Sequence, residues 1–333
     1  MMRQLLVYIF RGDPELQVLG TACDALEARE KIKSLHPDVL TLDVDLPKMD
    51  GLTFLEKLMR GHPMPVVMVA SLTDRGADAT LRALSLGAVD YITRPRFDAA
   101  TGFIENAEKI VCRVKAAAKA SVQERRAVAH WPVKPAFTAQ PVASRKVIAI
   151  GSSTGGTEAL RDLLAPLPTD MPGIVIAQHM PPAFTKPFAD RLNSLCNIRV
   201  QQARDGDPIL QGTALVAPGG FQMEVVAEQE IYAVRVYTGE RVNRHIPSVD
   251  VLFCSCARTL GKKALGVILT GMGADGAQGM LEIKKAQGHT IAQDEKSCVV
   301  FGMPKEAIRL GGVDQVLPLQ EIGPALIQVL WRK

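Results

Sequence analysis

The sequence lacks the marks of several classes of protein. No uninterrupted apolar run approaches the roughly 18 residues of a membrane-spanning helix, and the beginning of the chain shows no cleavage signature of a secretion signal. The formal net charge is only +4, with no long run of lysine or arginine, which argues against a nucleic-acid or membrane surface. We therefore expect a cytoplasmic protein that neither binds nucleic acid nor inserts into a membrane, and whose partners are proteins or small molecules.

Cysteine and histidine patterns are equally sparse. The six cysteines are scattered and form no C-x-x-C pair, which is typical of reduced thiols in the cytosol. No H-E-x-x-H motif occurs, and the histidines show no spacing typical of metal ligands, so we expect no metal site in the second half of the chain. Apolar residues, by contrast, are plentiful. A chain of 333 residues that is 47% hydrophobic is long enough for two buried cores.

Strand and helix patterns alternate in both halves of the chain. Residues 2–10 carry apolar side chains at the spacing of one helix face, and a strand is expected at 17–23. The alternation continues to about residue 118 and restarts at residue 146, which predicts parallel sheets covered by helices on both faces. Between the halves, 121–145 loses this periodicity and contains three prolines, so we expect a linker. Short strand and turn signals at 198–236 predict a small antiparallel insertion.

A carboxylate at the end of a predicted strand marks the first half. Asp43 lies in the stretch TLDVDLPKMDG, at the position where open α/β sheets place their sites. With the stretch PVVMV and the later Arg94-Pro95, this segment resembles a response-regulator receiver domain over about residues 1–120. The resemblance implies a flavodoxin-like fold, phosphorylation of Asp43 by a chemotaxis histidine kinase, and Mg²⁺ as the cofactor of that step. The alternative is that Asp43 only caps a loop.

This receiver departs from its family in three places. Neither the first strand nor the acidic pair that binds Mg²⁺ in the family has a counterpart in the sequence, so we expect the natural chain to begin upstream. Ala70 stands where the family has a switch Ser or Thr, and Arg94 stands where it has lysine. Arginine keeps the charge but not the compact ammonium group. All three departures affect groups that handle the phosphoryl group.

The stretch KVIAIGSSTGGTEAL opens the second half with a reactive motif. A buried strand runs into the turn Gly151-Ser152-Ser153-Thr154-Gly155, which fits G-x-S-x-G, the spacing that exposes a serine hydroxyl on a strand-to-helix bend. Ser153 is therefore a candidate nucleophile. Taken alone, the turn also fits a plain βα connection or an anion site at a helix N-terminus.

Two further polar residues share the structural position of Ser153. His179 and Asp275 also follow predicted buried strands, and the carboxyl ends of parallel strands meet along one edge of a sheet. A nearby imidazole can deprotonate a serine, and a carboxylate can fix the tautomer of that imidazole. The order Ser, His, Asp differs from that of three hydrolase classes, but a triad depends on geometry rather than on order. Each residue alone has a structural alternative as a turn or capping residue; together they predict a triad.

The second half resembles, over its whole length, the catalytic domain of the chemotaxis-specific protein-glutamate methylesterases. The stretches that carry this resemblance are IAIGSSTGGTEAL, AQHMPPAFT, VNRHIPSVDVLF, GVILTGMGADGAQGM and SCVVFGMP. It implies Ser153 as nucleophile, His179 as general base and acid, and Asp275 as orienting carboxylate. It also implies hydrolysis of glutamate γ-methyl esters on methyl-accepting chemotaxis receptors through an acyl-enzyme, deamidation of receptor glutamines, and no cofactor for the esterase.

Residues around the triad receive expected roles as well. The resemblance assigns the oxyanion to backbone N–H groups at the loop of Met272, and Thr154 is a further donor because it follows the nucleophile. Arg244 and His245 are expected on the substrate side, with a plain polar loop as the alternative. Ser152 stands where the family often has alanine, and we do not expect it to react.

The sequence as a whole predicts an α/β protein with two domains. A flavodoxin-like receiver lacking its first strand occupies 1–120, a linker occupies 121–145, and a doubly wound parallel α/β esterase domain with a small antiparallel insertion occupies 146–333. Two functions of other classes remain as alternatives. One is a non-catalytic, receiver-based signalling adaptor, and the other is a regulator that binds an anion or nucleotide at the glycine-rich turn.

Overall fold

Two compact units make up the chain, Met1–Val128 and Ala129–Lys333. The computed structural model describes residues 2–71, 73–94, 100–120, 145–228 and 231–331. The linker predicted at 121–145 lies outside the described residues, except for its last position.

The N-terminal unit alternates helices with the strands of one small parallel sheet. The strands run in the order β1-β2-β3, and every described pairing is parallel. All five residues of the central strand β2 are buried. The elements are α1 (Met2–Arg11), α2 (Ala25–Leu35), β1 (Leu40–Asp43), α3 (Gly51–Gly61), β2 (Val66–Ala70), α4 (Asp74–Ser85), β3 (Asp90–Thr93) and α5 (Ala100–Ala118).

The start of this unit confirms one prediction and overturns another. The helix expected at 2–10 forms as α1, with Leu6 and Ile9 buried. The strand expected at 17–23 is wrong, because this segment forms no strand. In a flavodoxin-like sheet its pairing partner is the strand that this sequence lacks. Without a partner, an apolar pattern cannot form a ladder, since the backbone groups of a strand are satisfied only by a neighbouring strand.

The C-terminal unit continues the alternation around a larger sheet. Its elements are β4 (Val147–Ser152), α6 (Gly156–Leu164), β5 (Gly173–Gln178), α7 (Pro182–Leu195), β6 (Arg199–Gln202), β7 (Thr213–Val216), β8 (Gln222–Glu228), β9 (Ile231–Tyr237), α8 (Val249–Leu260), β10 (Ala264–Ile268), α9 (Ala277–Lys285), β11 (His289–Gln293), α10 (Met303–Arg309), β12 (Gln315–Leu317) and α11 (Leu319–Trp331). A short 3₁₀ turn, Gly261–Lys263, joins α8 to β10.

Seven parallel strands form the main sheet, in the order β12-β11-β10-β4-β5-β7-β6. The chain builds outward from β4 in both directions, first through β5 and later through β10. Such a reversal of strand order opens a crevice at the carboxyl ends of the strands. The ends of β4, β5 and β10 therefore lie together at the switch point of the sheet.

Both faces of this sheet are covered, as the doubly wound prediction requires. Val147 and Ala149 of β4 pack into a core with residues of α8, α9 and α10. Ile148 and Ile150 alternate with them and project to the opposite face, on which α6 packs against α7 and α11. All four side chains are fully buried.

The antiparallel insertion is smaller than the segment 198–236 predicted for it. Among the strands that the structure describes, β8 and β9 pair antiparallel, while β6 and β7 join the main sheet as parallel strands. The connection between β6 and β7 contains no helix, so the helix signal that usually marks a parallel crossover is missing from the sequence.

None of the helices in the described part of the chain is long and apolar enough to cross a membrane.

Candidate functional site

Three polar residues meet at the switch point of the large sheet. Ser153 directly follows β4 and His179 directly follows β5, the strand that pairs with β4. Asp275 lies in the loop after β10, which pairs with β4 on its other side. A backbone hydrogen bond joins the turn of Ser153 to the turn of His179, because the N–H of His179 donates to the carbonyl of Ser152 at 3.2 Å. The structure thus places the predicted residues at three adjacent strand ends.

A buried ion-pair-like contact joins His179 to Asp275. The ring Nε2 lies 2.7 Å from the carboxylate Oδ2, and the two residues are only 7% and 2% exposed. A carboxylate can only accept a hydrogen bond, so Nε2 carries the proton in the neutral ring and Nδ1 carries the lone pair. Nδ1 is buried and has no hydrogen-bond partner among the described residues. His179 therefore presents a base at Nδ1.

Asp275 is held by more groups than His179 alone. Its carboxylate accepts hydrogen bonds from the Ser248 hydroxyl at 2.7 Å, the Val249 N–H at 2.7 Å and the Asn243 amide at 2.9 Å. Burial by itself raises the pKa of Asp275, but the hydrogen bond from His179, the charge of that ring when it is protonated, and the bonds from Asn243 and Ser248 outweigh it and hold the pKa below its usual value. Asp275 stays ionised and fixed in orientation.

The backbone N–H and carbonyl of Ser153 are both used in hydrogen bonds that hold its turn. Its N–H donates to the Thr270 carbonyl at 3.0 Å, and its carbonyl accepts from the Gln178 side chain at 3.0 Å. The side chain is only half-buried. No hydrogen bond joins its hydroxyl to His179 within the described ranges; contacts of this kind often tighten only when substrate binds. Since the N–H of Ser153 is used by Thr270, it is not free to bind an oxyanion.

The neighbouring Ser152 has a different role. Its side chain is fully buried, and its hydroxyl donates to Oε1 of Gln178 at 2.6 Å. Gly156 leaves room for this contact, since a Cβ there would lie 2.3 Å from the same Oε1. Ser152 thus helps to anchor the Gln178 side chain, which in turn binds the carbonyl of Ser153.

The loop that carries Met272 packs directly against the nucleophile turn. A Cβ on Gly271 would lie 2.8 Å from the Cβ of Ser153, so only glycine allows this approach. A hydrogen bond from Gly302 also holds this loop, since the Gly302 N–H donates to the Gly271 carbonyl at 3.0 Å. Within the described ranges nothing accepts the N–H of Met272. Thr154, the other expected donor, is buried, and its carbonyl accepts from the Thr270 hydroxyl.

The two residues expected on the substrate side lie on a tight hairpin. Val242 and His245 form an antiparallel bridge, and the two residues between them, Asn243 and Arg244, have φ angles of 52° and 68°. Positive φ at both central positions is the pattern of a type I′ turn. Arg244 is exposed. His245 instead lies flat on His179, with ring centroids 3.6 Å apart and 3° between the ring planes.

Sequence reasoning did not predict the supporting role of three residues at this site, although it placed the segment 243–248 on the substrate side. Asn243 and Ser248 both donate to Asp275, and Gln178 bridges the turns of Ser152 and Ser153. The first two lie in the stretch VNRHIPSVDVLF, and Gln178 immediately precedes His179. Position beside a recognised motif was the only signal for them, because their partners are distant in sequence.

The predicted phosphorylation site of the N-terminal unit is built differently. Asp43 ends β1 with a side chain that is 24% exposed, and its Oδ1 accepts from Arg94 Nη2 at 2.7 Å. The same Nη2 lies 2.9 Å from Oδ2 of Asp45. The hydrogen bond from Arg94 to Asp43 raises the pKa of the guanidinium. One cation therefore contacts both carboxylates and offsets part of their negative charge.

These residues do not fit a magnesium ion. Mg²⁺ requires several oxygen ligands in octahedral geometry, yet no cluster of three or more acidic, histidine or cysteine side chains that could hold a metal occurs in the described part of the chain. Asp43 and Asp45 already share Arg94, whose charge opposes a second cation.

The fold and the large-sheet site together define a class. A doubly wound sheet with a glycine-turn serine, a histidine and a buried carboxylate at adjacent strand ends is the architecture of a hydrolytic enzyme. Preceding it is a unit with the sheet and aspartate of a receiver.

Comparison with known proteins gives this class a family. Residues 148–326 match the CheB methylesterase family model, and residues 1–101 match the response regulator receiver domain model. The chain is 53% identical over 329 residues to protein-glutamate methylesterase/protein-glutamine glutaminase 3 of Burkholderia lata, covering 97% of this chain and 91% of that relative. It is 52% identical over 333 residues to protein-glutamate methylesterase/protein-glutamine glutaminase 2 of Pseudomonas aeruginosa, covering 100% of this chain and 95% of that relative.

A solved structure agrees with the sequence comparisons. The catalytic domain of Thermotoga maritima CheB methylesterase is 40% identical, covers 55% of this chain and 98% of its own, and superposes with a TM-score of 0.54. The chain therefore belongs to the CheB methylesterase family and is a carboxylic ester hydrolase preceded by a receiver of two-component signalling. This confirms the predicted enzyme class and fold class.

Proposed function

We propose that this protein hydrolyses glutamate γ-methyl esters on the cytoplasmic part of methyl-accepting chemotaxis receptors, and that it deamidates receptor glutamines at the same site. Its relatives carry both activities in their names. The observation that carries the proposal is the His179–Asp275 contact of 2.7 Å, which leaves Nδ1 as the base beside the Ser153 turn. A half-buried serine next to an oriented base is suited to attack an ester on the protein surface.

The reaction follows from these positions. Ser153 Oγ attacks the ester carbonyl carbon, and its proton passes to Nδ1 of His179. When the tetrahedral intermediate collapses, the C–O bond to the methoxy group breaks and His179 returns the proton to the departing methanol. Water then adds to the glutamyl-Ser153 ester with His179 again as base, releasing the glutamate carboxylate and the free serine. With a glutamine substrate, ammonia leaves in place of methanol.

Backbone groups near Ser153 support the negative charge of the intermediate. The N–H of Met272 lies on a loop that contacts the nucleophile turn through Gly271 and is committed to no partner in the described ranges. Preorganised donors of this kind are typically worth about 10²–10³ in kcat each. Thr154, the residue after the nucleophile, is the second donor in the proposal.

The receiver takes a regulatory role in this proposal. Asp43 accepts a phosphoryl group from the chemotaxis histidine kinase, and the charge of Arg94 must then be shared between the phosphoryl group and Asp45. We propose the domain boundaries 1–120 for the receiver, 121–145 for the linker and 146–333 for the catalytic domain. Exposure of the full chain to acetyl phosphate tests this role: esterase activity rises if Asp43 acts as a switch and stays constant if it does not.

The central test uses two adjacent serines. We expect Ser153→Ala to lower methanol release from methylated receptor fragments by about 10⁶ in kcat, as removal of a nucleophile does in a serine hydrolase. Ser152→Ala is the matched control, because its hydroxyl is buried on Gln178, and it should keep activity within about tenfold, the cost of one buried hydrogen bond. Methanol release by Ser153→Ala at the normal rate would refute the proposed nucleophile.

A further inference from the structure

The stacking of His245 on His179 is a feature that the proposed triad does not require. The two imidazole rings lie 3.6 Å apart and are parallel within 3°, so His245 covers one face of the base. His179 is fastened along its edge by Asp275. A ring held at one edge and one face has little freedom to rotate, which keeps the direction of Nδ1 fixed.

The hairpin that carries His245 is itself tied to the triad carboxylate. The side-chain amide of Asn243 donates to Oδ1 of Asp275 at 2.9 Å and to Oδ2 of Asp250 at 2.7 Å. Asp250 in turn accepts from the Gly279 N–H at the start of α9 at 2.6 Å. Both Asn243 and Arg244 have positive φ in this turn. Asparagine adopts such a conformation at little steric cost, whereas for arginine it is strained. A strained conformation of this kind persists only where surrounding contacts enforce it.

The stack also has a consequence for charge. When Nδ1 takes the proton of Ser153, His179 becomes a cation whose face lies against the π system of His245. A cation over an aromatic face is attracted by the electrons of the ring, most strongly where water is excluded, and His179 is only 7% exposed. The gain exists only while the imidazolium exists, so it lowers the barrier rather than tightening ground-state binding.

We propose that His245 is a positioning residue, which holds the ring of His179 and stabilises its imidazolium form through the stacked face. This inference rests on the proposed function, since it gives His245 a task in the same serine-histidine mechanism. It differs from the expected substrate-side role, in which the His245 side chain would contact the receptor and influence KM.

Three substitutions separate the possible roles of this side chain. His245→Phe keeps a flat aromatic face, His245→Leu fills a similar volume without one, and His245→Ala removes the contact. We expect Leu and Ala to lower kcat for methanol release by about tenfold with KM unchanged within twofold, the size of one cation–π contact. Phe should retain kcat within about threefold of the wild type.

Each other outcome counts against the inference. Equal kcat for Leu and Phe would show that filling space suffices, and a change confined to KM would assign His245 to substrate binding. Thermal unfolding of all three variants checks that lost activity is not lost folding. Ser153→Ala, measured in parallel, keeps the two hypotheses distinct: activity in that variant refutes the proposed mechanism, whereas an inactive Ser153→Ala beside fully active His245 variants refutes only the role of His245.

Discussion

Asp275 and Asp43 both lie at the carboxyl edge of a parallel sheet, and the structure holds them in opposite ways. Asp275 is 2% exposed and accepts hydrogen bonds from His179, Asn243, Ser248 and the backbone of α8. Asp43 has a side chain that is 24% exposed, and its Oδ1 accepts from the Arg94 guanidinium at 2.7 Å and from the Asp45 N–H at 3.0 Å. The first carboxylate accepts several donors from the surrounding fold, whereas the second has one side-chain partner, Arg94, beside the backbone of its own loop.

The difference follows from the sheets that carry them. The strand before Asp275 lies inside a seven-stranded sheet whose loops are packed by neighbours on both sides. Asp43 is the last residue of β1, which lies at the edge of a three-stranded sheet. Among the strands that the structure describes, β1 pairs only with β2. A carboxylate surrounded by fixed donors suits a step that needs constant geometry, and a carboxylate with one exchangeable side-chain partner suits covalent modification.

Among the substitutions that test this contrast, neutralising Asp275 has the largest expected effect, and neutralising Asp43 is its control. Asp275→Asn removes the acceptor that fixes the tautomer of His179, so kcat for methanol release should fall by about 10⁴, as in other triads. Asp43→Asn should leave unphosphorylated activity within about twofold, because Asp43 has no part in ester hydrolysis. Steady-state kinetics on both variants make the measurement. Similar losses in the two would overturn the contrast between the sites.

Ser248 tests how much a single supporting donor contributes. Its hydroxyl donates to Asp275 and also accepts from the Val251 N–H as the N-cap of α8. We expect Ser248→Ala to lower kcat by about tenfold and the free energy of unfolding by about 1–3 kcal/mol, because a buried charged acceptor and a helix cap lose their partner. Ser248→Thr keeps the hydroxyl and should recover most of both; if it behaves like alanine, the hydrogen bond is not the cause.

Arg244 gives a smaller effect of the opposite sign. Glycine adopts a φ of 68° without steric cost, so Arg244→Gly should raise the free energy of unfolding by about 0.5–1 kcal/mol. Arg241→Gly, close by on the same hairpin but without a positive φ, should give no gain. Chemical denaturation measures both. If the Arg244 side chain binds substrate as the sequence predicted, KM rises in the first variant; an unchanged KM would contradict that role.

The smallest effect is expected at the receiver ion pair. Arg94 has a side chain that is 36% exposed, and such partly exposed pairs contribute about 0–1 kcal/mol. Arg94→Ala should therefore change the opening free energy of β1 amides, measured by hydrogen exchange, no more than Arg60→Ala, which removes an exposed pair with Glu56. A loss above about 2 kcal/mol would show that Arg94 is structural rather than exchangeable.

The sequence predicted those parts of the molecule that depend on periodicity and strand ends. Ser153, His179 and Asp275 each follow an apolar run, and parallel strands bring such positions to one edge whatever the side-chain details. The helix α1 was predicted for the same reason, since its apolar spacing is local. The prediction of a strand at 17–23 was wrong because strand formation requires a partner strand, which a local pattern does not reveal.

Other features depend on distances that no local pattern encodes. The stack of His245 on His179 requires positive φ at Asn243 and Arg244, and arginine gives no hint of such a conformation. The bond from Ser248 to Asp275 joins residues 27 positions apart. Likewise, β6 and β7 resembled parts of an antiparallel insertion because their connection has no helix. These contacts arise only when the whole sheet is assembled.

Covalent labelling of the nucleophile tests the central claim most directly. The full chain is treated with a fluorophosphonate, and the site of the adduct is located by mass spectrometry of its peptides, with Ser152→Ala and Ser153→Ala treated in the same way. The geometry of His179 beside the Ser153 turn predicts one adduct on Ser153 in the wild type and in Ser152→Ala, and none in Ser153→Ala. An adduct on Ser152, or labelling that persists in Ser153→Ala, would contradict the assignment of Ser153 as the nucleophile.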